Sequence, residues 1–367
     1  MQELDRRDFL RRSALAGAGV ALLSSPLLAA CGSDSKKVST TKSGGKTGSG
    51  SGGTASLGTL TYQLSWIKNT EFAGQYLADS KGYYKESGFD GVNLLSGGPT
   101  VQQDAVVASG KAFVGISSPD ITASAILKGA PTILIGAIFQ KNPFAVMSLA
   151  KSPINTPKDL IGKKIGVQST NESVWKAFLK ANKIDESKVT LVPAQFDPQP
   201  LVAGEVDGWF SFITNEPNLL KVKGVETTTF LLNDYGYPLV SQVYVVQKDA
   251  LTKDRDKLKA LMKAEIKGWH DAIKDPSAGP KLVVSKYGND LKLDVPEQTL
   301  ESKAQNKLIV SDETKANGIF TVSDKLLAES MATLKLAGVD IAQDKLFDLS
   351  LIDDVYKENP ELKSLPA

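Results

Sequence analysis

The fold is decided by residues 64–88, LSWIKNTEFAGQYLADSKGYYKESG. A short apolar strand pattern, Leu60 to Leu64, runs into this stretch. Thr70 then predicts a helix N-cap, with Glu71 in the first turn, where a helix favours negative charge. Apolar residues follow four positions apart, which predicts a helix face that packs on a sheet, and Gly82 predicts its end.

The turn between this strand and helix predicts a ligand site. Open α/β sheets place ligands at the carboxyl ends of their strands. Trp66, Asn69, Glu71 and Phe72 offer an indole, an amide, a carboxylate and a second aromatic ring within one turn. This set of groups suits a flat small molecule that is rich in nitrogen.

Strand-like and helix-like runs alternate from Leu60 onward, which predicts an α/β fold. A capping box, Thr100 to Gln103, predicts a helix after the second strand. Ser117 and Ser118 open the next helix, where they serve either as caps or as contacts to a polar ligand edge. Gln140 follows a buried apolar strand and is a further candidate contact.

A second set of strand-end turns predicts the opposite wall of a cleft. Ser169 and Thr170 join a strand to a helix, and Asn215 and Glu216 do so again. Glu216 is either a ligand contact or only a helix-start charge. Tyr235 lies in an aromatic loop before a strand that is expected to return the chain to the part of the fold that contains Trp66. Two further aromatic residues, Trp175 and Trp209, are either cleft or core residues.

Composition excludes several function classes. The 367 residues are 41% hydrophobic and 23% charged, with a net charge of +2, so nothing predicts a nucleic-acid partner. One Cys, Cys31, and one His, His270, do not make a usual zinc site, and no metal or cofactor is expected. Arg255 is the only arginine from residue 60 onward, which disfavours an anionic ligand.

The N-terminus predicts export and lipid anchoring. Residues 1–30 combine the pair Arg6-Arg7 with an apolar run, which resembles a twin-arginine signal peptide. Leu28 to Cys31 resembles a bacterial lipobox, so cleavage before Cys31 and lipidation of its thiol are expected. A membrane anchor and a plain signal peptide are the alternatives. Residues 31–58, rich in Gly and Ser, predict a disordered tether.

The stretch 66–84 also carries a family resemblance, through Trp66, Asn69, Phe72, the run Ala73 to Tyr76 and the run Lys81 to Tyr84. It resembles the solute-binding proteins of ABC importers for the pyrimidine precursors of thiamine. Pro157 to Lys163 is similar to a motif common in periplasmic-type binding proteins, and Asn215 to Pro217 matches the pyrimidine-precursor family.

The resemblance implies a two-lobed periplasmic-binding-protein type II fold, with two open sheets, flanking helices and a ligand cleft at a two-crossing hinge. Lobe one would comprise residues 59–142 and 240–367, and lobe two residues 143–239. The implied protein is a monomer on the outer face of the cytoplasmic membrane. Its partners would be a heterocyclic ligand, an ABC permease and an ATPase.

Other functions remain open at this stage. The same binding role could serve riboflavin, or a sulfonate such as taurine. An enzyme, the fungal-type pyrimidine synthase, shares the frame, but it needs a Cys-rich motif and an active-site His that this chain lacks. A surface lipoprotein with a degenerate cleft is a further alternative, against which the polar strand-end residues speak.

Overall fold

Two five-stranded sheets form the frame of the molecule. The computed structural model describes residues 56–366, and the predicted signal peptide, Cys31 and nearly all of the tether lie outside them. The strands are β1 Thr59–Gln63, β2 Gly91–Leu95, β3 Val114–Ser117, β4 Thr132–Phe139, β5 Phe144–Leu149, β6 Lys164–Gln168, β7 Thr190–Ala194, β8 Gly208–Phe212, β9 Thr227–Leu231 and β10 Ser241–Gln247.

Both sheets are mixed and have related strand orders. The first is ordered β2-β1-β3-β10-β4, and the second β7-β6-β8-β5-β9. Four strands of each sheet run in the same direction, and one strand, β10 in the first sheet and β5 in the second, runs antiparallel to its two neighbours. We call the first sheet with its helices lobe one and the second lobe two. The predicted two-lobed α/β fold is confirmed.

Helices cover the faces of the sheets. They are α1 Ala73–Ser80, α2 Tyr83–Glu86, α3 Gln103–Ala108, α4 Pro119–Leu127, α5 Glu172–Ala181, α6 Gln199–Val202, α7 Glu216–Val222, α8 Ala250–Lys253, α9 Arg255–Lys274, α10 Ala278–Leu282, α11 Val295–Ile309, α12 Asp312–Asn317, α13 Asp324–Leu336, α14 Gln343–Leu346 and α15 Ser350–Glu358. Within the described residues, none of the helices has the length and hydrophobicity needed to cross a membrane.

The stretch that predicts the fold follows β1 directly and forms a single 3-10 turn at Thr70–Phe72, then α1 and α2. The prediction that Thr70 is the N-cap is wrong. Asn69 caps this turn instead, because its side-chain oxygen accepts a hydrogen bond from the N–H of Glu71 at 3.2 Å. Gly82 follows the last turn of α1 with φ +79°, as the predicted helix end requires.

Gly74 explains why α1 lies so close to the long helix α9. A Cβ at this position would stand 2.3 Å from the indole of Trp269. At Gly268 of α9, a Cβ would approach the carbonyl oxygen of Gly74 to 2.2 Å. Two glycines therefore allow the helices to touch, and α9 fixes the helix that follows the candidate ligand turn.

Two further expectations are settled by the structure. Trp175 and Trp209 are both 1% exposed and belong to the hydrophobic core of lobe two. The predicted capping box Thr100–Gln103 is wrong, since α3 begins only at Gln103 and Gln102 makes no capping bond. Gly97 packs directly under the turn after β1, because a Cβ there would lie 2.5 Å from the carbonyl oxygen of Leu64.

The chain passes between the sheets twice. One crossing joins β4 to β5 through residues 140–143, and the other joins β9 to β10 through residues 232–240. The Asn142 side chain ties them together. It donates to the carbonyl oxygen of Tyr237 at 3.3 Å and accepts from the N–H of Phe144 at 2.9 Å. This bond couples the two crossings at the base of the cleft.

Candidate ligand-binding cleft

A cavity lies between the two lobes, at the carboxyl ends of several strands. It is lined from lobe one by the turn after β1, the start of α4 and the start of β10, and from lobe two by β8 and the turns after β6 and β8. Its lining residues include Ser65, Trp66, Glu71, Gln103, Ser117, Ser118, Ile121, Phe144, Gln168, Thr170, Asn171, Phe210, Ser211, Phe212, Asn215, Glu216, Ser241 and Gln242.

Glu71 is the central polar group of the lobe-one wall. It is 3% exposed, because the short turn after Asn69 directs its side chain inward. Its Oε1 accepts hydrogen bonds from the Gln242 amide and, at 3.4 Å, from the Ser65 hydroxyl. Burial raises the pKa of Glu71 to about 7, although these donors oppose the rise.

Gln242 holds an uncommon backbone conformation at this wall. Its φ is +51°, in the left-handed region that a residue with a Cβ rarely occupies. Gln242 lies in β10, shortly after the second crossing, and is 3% exposed. The backbone conformation accompanies a side chain that reaches Glu71, so the strain coincides with the candidate site.

Phenylalanine rings form the apolar wall of lobe two. Phe144 packs against Phe210 with 4.9 Å between ring centroids and against Phe212 with 4.8 Å. Phe144 begins β5 and the other two lie in the neighbouring strand β8, so the sheet itself positions the three rings. Trp66 faces the same cavity from lobe one. Flat apolar surfaces therefore border the cavity from both lobes.

Glu216 and Asn215 begin α7 and provide the polar wall of lobe two. The Oε2 of Glu216 accepts a hydrogen bond from the N–H of Phe212 at 3.0 Å. Burial, and to a smaller extent the negative charges of Glu71 and Glu297, raise the pKa of Glu216 to about 8. Near neutral pH, this carboxyl can therefore either donate a hydrogen bond or accept one.

The ionisable side chains that line the cleft are acidic. Among the described residues, no lysine or arginine lines the cavity, whereas Glu71 and Glu216 do. Arg255 lies on α9 and pairs with Asp354 at 2.6 Å. An anionic ligand would therefore meet two carboxyl groups without a compensating cation, which opposes its binding.

The lobes are in contact around the cavity. The Asn215 amide donates to Oε2 of Glu71 at 3.3 Å across the cleft. At one edge, the Ser169 hydroxyl and the N–H of Thr170 both donate to the carbonyl oxygen of Pro99, at 2.8 and 3.3 Å. The centre of a water molecule can occupy only about 50 Å³ of the cavity, and one water needs about 10–15 Å³ of such space. The lobes are therefore in contact in this conformation, and they leave room between them for only a few water molecules.

The structure brings most of the predicted contact residues together. Those that line the cavity are Trp66, Glu71, Ser117, Ser118, Thr170, Asn215 and Glu216. The two serine hydroxyl groups also form hydrogen bonds to carboxylates, because Ser117 donates to Asp104 and Ser118 donates to Asp120.

Other predicted contacts lie outside the cavity. Phe72 is fully buried in the core of lobe one, and Asn69 donates to Oε1 of Glu301 at 2.7 Å. Gln140 donates to the carbonyl oxygen of Thr321 at 3.0 Å. Ser169 closes the edge of the cleft rather than lining it. Tyr235 packs on Phe230 in lobe two, with 5.3 Å between ring centroids.

Several lining residues were not predicted. Gln242 and Ser241 follow the second crossing, and they reach the cavity because β10 lies between β3 and β4, a position that short-range sequence patterns do not reveal. Phe144 and Phe210 have the sequence appearance of ordinary strand residues. Gln168, the last residue of β6, is the first residue of the turn that the sequence predicts to face the ligand, although it was not among the predicted contact residues.

The chain is similar to proteins of one family over more than half of its length. A family model described as "NMT1/THI5 like" matches residues 69–278. A formylaminopyrimidine-binding protein of Halalkalibacterium halodurans is 27% identical over 228 residues, which cover 60% of this chain and 68% of that protein. The riboflavin-binding protein RibY of Chloroflexus aurantiacus is 27% identical over 223 residues, or 59% of this chain and 63% of that protein.

A solved structure shares the fold. The periplasmic nitrate-binding protein NrtA of Synechocystis superimposes with a TM-score of 0.63 at 14% sequence identity, covering 86% of this chain and 92% of that protein. At this identity, the likeness concerns the two-lobed architecture alone.

Proposed function

The chain belongs to the NMT1/THI5-like family, and from that premise we propose that it is the extracytoplasmic substrate-binding protein of an ABC importer. Its ligand is a flat nitrogen heterocycle of the aminopyrimidine class, which it delivers to the permease. The observation that carries this proposal is the pair Glu71 and Glu216, buried in an aromatic-lined cleft that no described lysine or arginine lines.

An aminopyrimidine edge matches these groups chemically. It presents an exocyclic amino group as donor beside a ring nitrogen as acceptor. An ionised carboxyl accepts from the amino group, and a protonated carboxyl donates to the ring nitrogen. Glu71 and Glu216, whose pKa values are raised to about 7 and about 8, can each take either form near neutral pH.

Binding energy must come from several sources. A micromolar ligand requires about 8 kcal/mol. One hydrogen bond to a charged group contributes about 1.5–3 kcal/mol, and one aromatic contact adds about 0.5–1.5 kcal/mol beyond its buried area. Trp66 and Phe212 with Glu71 and Asn215 therefore act together, and closure of the lobes removes water from all four.

The side chains of the cleft also bear on the alternative ligands and on an enzymatic role. Riboflavin is also flat and nitrogen-rich, and one relative carries its name, so it remains the second candidate ligand. A sulfonate is disfavoured because it would meet carboxyl groups without a cation. The binding role is favoured over an enzymatic one, since the only histidine, His270, lies on α9 and does not line the cavity.

Export and lipidation at Cys31 complete the proposal. They rest on the sequence of the N-terminal segment, which lies outside the described residues. Labelling with a radioactive fatty acid in the native host, compared with a Cys31→Ser variant, tests this part independently of ligand binding.

The ligand proposal is tested on the full chain purified in detergent. We expect 4-amino-5-hydroxymethyl-2-methylpyrimidine, rather than taurine, to raise the melting temperature and quench tryptophan fluorescence, with riboflavin as the second candidate. Ligand at a hundred times its Kd stabilises by about 2.7 kcal/mol. Trp66→Ala should remove most of the quenching, while Trp269→Phe, in the core of lobe one, should retain it. If pyrimidine, flavin and sulfonate all leave the melting temperature unchanged, the importer function is wrong.

A further inference from the structure

Two serines of the cleft wall, Ser117 and Ser118, have hydroxyl protons that are already engaged by the protein. Both side chains line the cavity and are 3% and 5% exposed. Ser118 donates its proton to Oδ1 of Asp120 at 2.5 Å, and Ser117 donates to Oδ2 of Asp104. A serine hydroxyl has a single proton, so neither serine has one left to offer to a ligand.

The direction of the bond from Ser118 is fixed by the other partners of Asp120. Oδ1 of Asp120 also accepts from the N–H of Ile121 at 3.0 Å, and Oδ2 accepts from the hydroxyl of Tyr237 at 2.7 Å. A backbone N–H can only donate, so Oδ1 is an acceptor and Ser118 is its donor. Asp120 is 4% exposed and lies in the first turn of α4, where a helix favours negative charge.

The oxygen of Ser118 is also not used for helix capping. Ser118 is the N-cap residue of α4, and the side chain of an N-cap residue usually accepts from the N–H of the second or third residue of its helix. Ser118 makes no such bond, because Asp120 accepts from the N–H of Ile121, the third residue. The oxygen of Ser118 therefore keeps its acceptor sites at the cavity wall.

Two further bonds extend this pattern along the wall of lobe one. The oxygen of Ser117 accepts from the hydroxyl of Thr122 at 3.1 Å, which leaves it one lone pair. A third lining serine, Ser65, donates its proton to Glu71 at 3.4 Å or to Gln242 at 3.5 Å. These three serines thus present oxygen lone pairs rather than protons to the cavity.

A wall of this kind selects the polarity of the ligand. An N–H or O–H group that faces the serine oxygens gains a hydrogen bond. A carbonyl, ether or sulfonate oxygen at the same place meets lone pairs and finds no proton to accept. Water can supply the donor when no ligand is bound, so a ligand that displaces the water must replace that bond or lose affinity.

We propose that Asp104 and Asp120 are specificity-determining residues, which hold Ser117 and Ser118 as acceptors and so require the ligand to present an O–H or N–H donor to them. This inference rests on the proposed function and makes it more specific. There the carboxyl pair takes up the amino edge of the ring, so the donor for the serines belongs to a second group of the ligand. The substrate class is then an aminated heterocycle whose side group carries a hydroxyl or a further N–H.

Three probes that differ in one group test this polarity on the full chain purified in detergent. The alcohol 4-amino-5-hydroxymethyl-2-methylpyrimidine carries an O–H donor, its O-methyl ether keeps the oxygen as an acceptor only, and 4-amino-2,5-dimethylpyrimidine lacks the oxygen. By calorimetry, we expect the alcohol to bind at least about fivefold more tightly than either other probe, the value of one ordinary hydrogen bond. The dimethyl compound separates loss of the donor from the added bulk of the ether.

Substitution of Asp120 connects the preference to the buried carboxylate. Asp120→Leu keeps the branched shape and removes the acceptor, and Tyr237→Phe in the same protein avoids an unpaired buried hydroxyl. The proton of Ser118 can then turn toward the ligand, so the affinity for the ether should rise about fivefold relative to that for the alcohol. The affinity for the dimethyl compound relative to the alcohol should stay the same, because that probe has no oxygen to accept the proton.

Two milder variants serve as controls. Asp120→Asn keeps an oxygen that can accept from Ser118 and Ile121, so the wild-type preference should remain. Tyr237→Phe alone should also keep it, because Ser118 still has its acceptor. Melting temperatures show whether each variant folds. If the double variant does not fold, Asp104→Leu takes its place, since it removes the acceptor of Ser117 in the same way.

The outcomes separate this inference from the proposed function. Equal binding of the alcohol and the ether by the wild type would overturn the inference and leave capture of the ring intact. A variant without the acceptor that loses affinity for all three probes by the same factor would make the carboxylate a structural residue only, which also overturns it. If riboflavin alone binds, lumiflavin, which has the ring without the hydroxylated chain, is the matched probe, and equal binding of that pair contradicts the inference. If no compound binds, the proposed function fails and this inference fails with it.

Discussion

Two regions of this molecule bury carboxyl groups, and they do so differently. In lobe one, Glu265 of α9 is fully buried and accepts hydrogen bonds from Gln75 at 2.6 Å, from Tyr244 at 2.9 Å and from Tyr84. In the cleft, Glu216 is almost as buried, but it accepts only one bond, from Phe212. The core carboxyl is therefore saturated by its own fold, and the cleft carboxyl is not.

The comparison shows which property indicates a ligand site. Burial raises the pKa of Glu265 to about 7 and that of Glu216 to about 8, so a raised pKa alone does not distinguish them. What distinguishes them is the number of donors that the fold supplies and the presence of an adjoining cavity. Glu71 in the cleft also accepts three bonds, from Gln242, Ser65 and Asn215, so the number of donors sets Glu216 apart and the adjoining cavity sets both cleft carboxyl groups apart.

The largest effect is expected from Glu265→Leu. This change leaves the donors of Gln75, Tyr84 and Tyr244 buried without their acceptor, which should cost about 3–5 kcal/mol of the free energy of unfolding. Urea denaturation measures the loss, and Glu216→Leu is the matched change in the cleft. A similar loss of stability in both variants would contradict the comparison.

The second prediction concerns the pH dependence of stability. The pKa of Glu265 is raised to about 7 in the folded state from its ordinary value of 4.5. Its stabilising contribution is therefore fully present below pH 4.5 and is lost as the pH rises through 7, by up to about 3 kcal/mol.

Denaturation of wild type and Glu265→Gln between pH 4.5 and 8 measures this effect. The amide does not titrate, so the variant should lose less stability over this range than the wild type does. Glu71 and Glu216 also have raised pKa values and contribute in the same direction, so some pH dependence should remain in the variant. If the free energy of unfolding depends on pH identically in the two proteins, Glu265 is not a source of the pH dependence.

The third prediction concerns the cleft itself. Glu216→Gln should weaken ligand binding about tenfold to a hundredfold, the value of one hydrogen bond to a charged group. It should not lower the free energy of unfolding at neutral pH, because a carboxyl with a pKa of about 8 is mostly neutral there and the amide oxygen can still accept from the N–H of Phe212. Calorimetry and urea denaturation on the same sample test both statements. A variant that is destabilised but binds normally would make Glu216 a structural residue.

The sequence predicted the fold more fully than the cleft. Strands such as Thr132–Phe139 and the order of strands and helices follow from short-range patterns, and these were visible in the chain. Capping was less predictable. Thr70 and Asn69 are both suitable N-caps, and the choice depends on Glu301, which lies more than two hundred residues later and draws the Asn69 amide toward itself.

The composition of the cleft depended even more on distant contacts. Glu71, Asn215 and Glu216 were predicted because they follow strands, but Gln242 was not. Its role depends on the insertion of β10 between β3 and β4 and on a left-handed backbone angle. Tyr235 was predicted as a contact because it is aromatic and lies in the loop before β10. Its ring instead packs in lobe two, where Phe230 lies beside it.

The smallest effect is expected from Gln242→Gly. Glycine adopts φ +51° without strain, which should stabilise the fold by about 1 kcal/mol, but it removes the hydrogen bond to Glu71. We therefore expect stability to change by less than about 1 kcal/mol and ligand affinity to fall about fivefold, the value of one ordinary hydrogen bond. Gln242→Asn is the control, since asparagine tolerates this angle and keeps a shorter amide. A Gln242→Gly variant with a much lower free energy of unfolding and an unchanged ligand affinity would contradict this expectation. Gln242 would then serve the packing of β10, and Ser65 and Asn215 alone would orient Glu71.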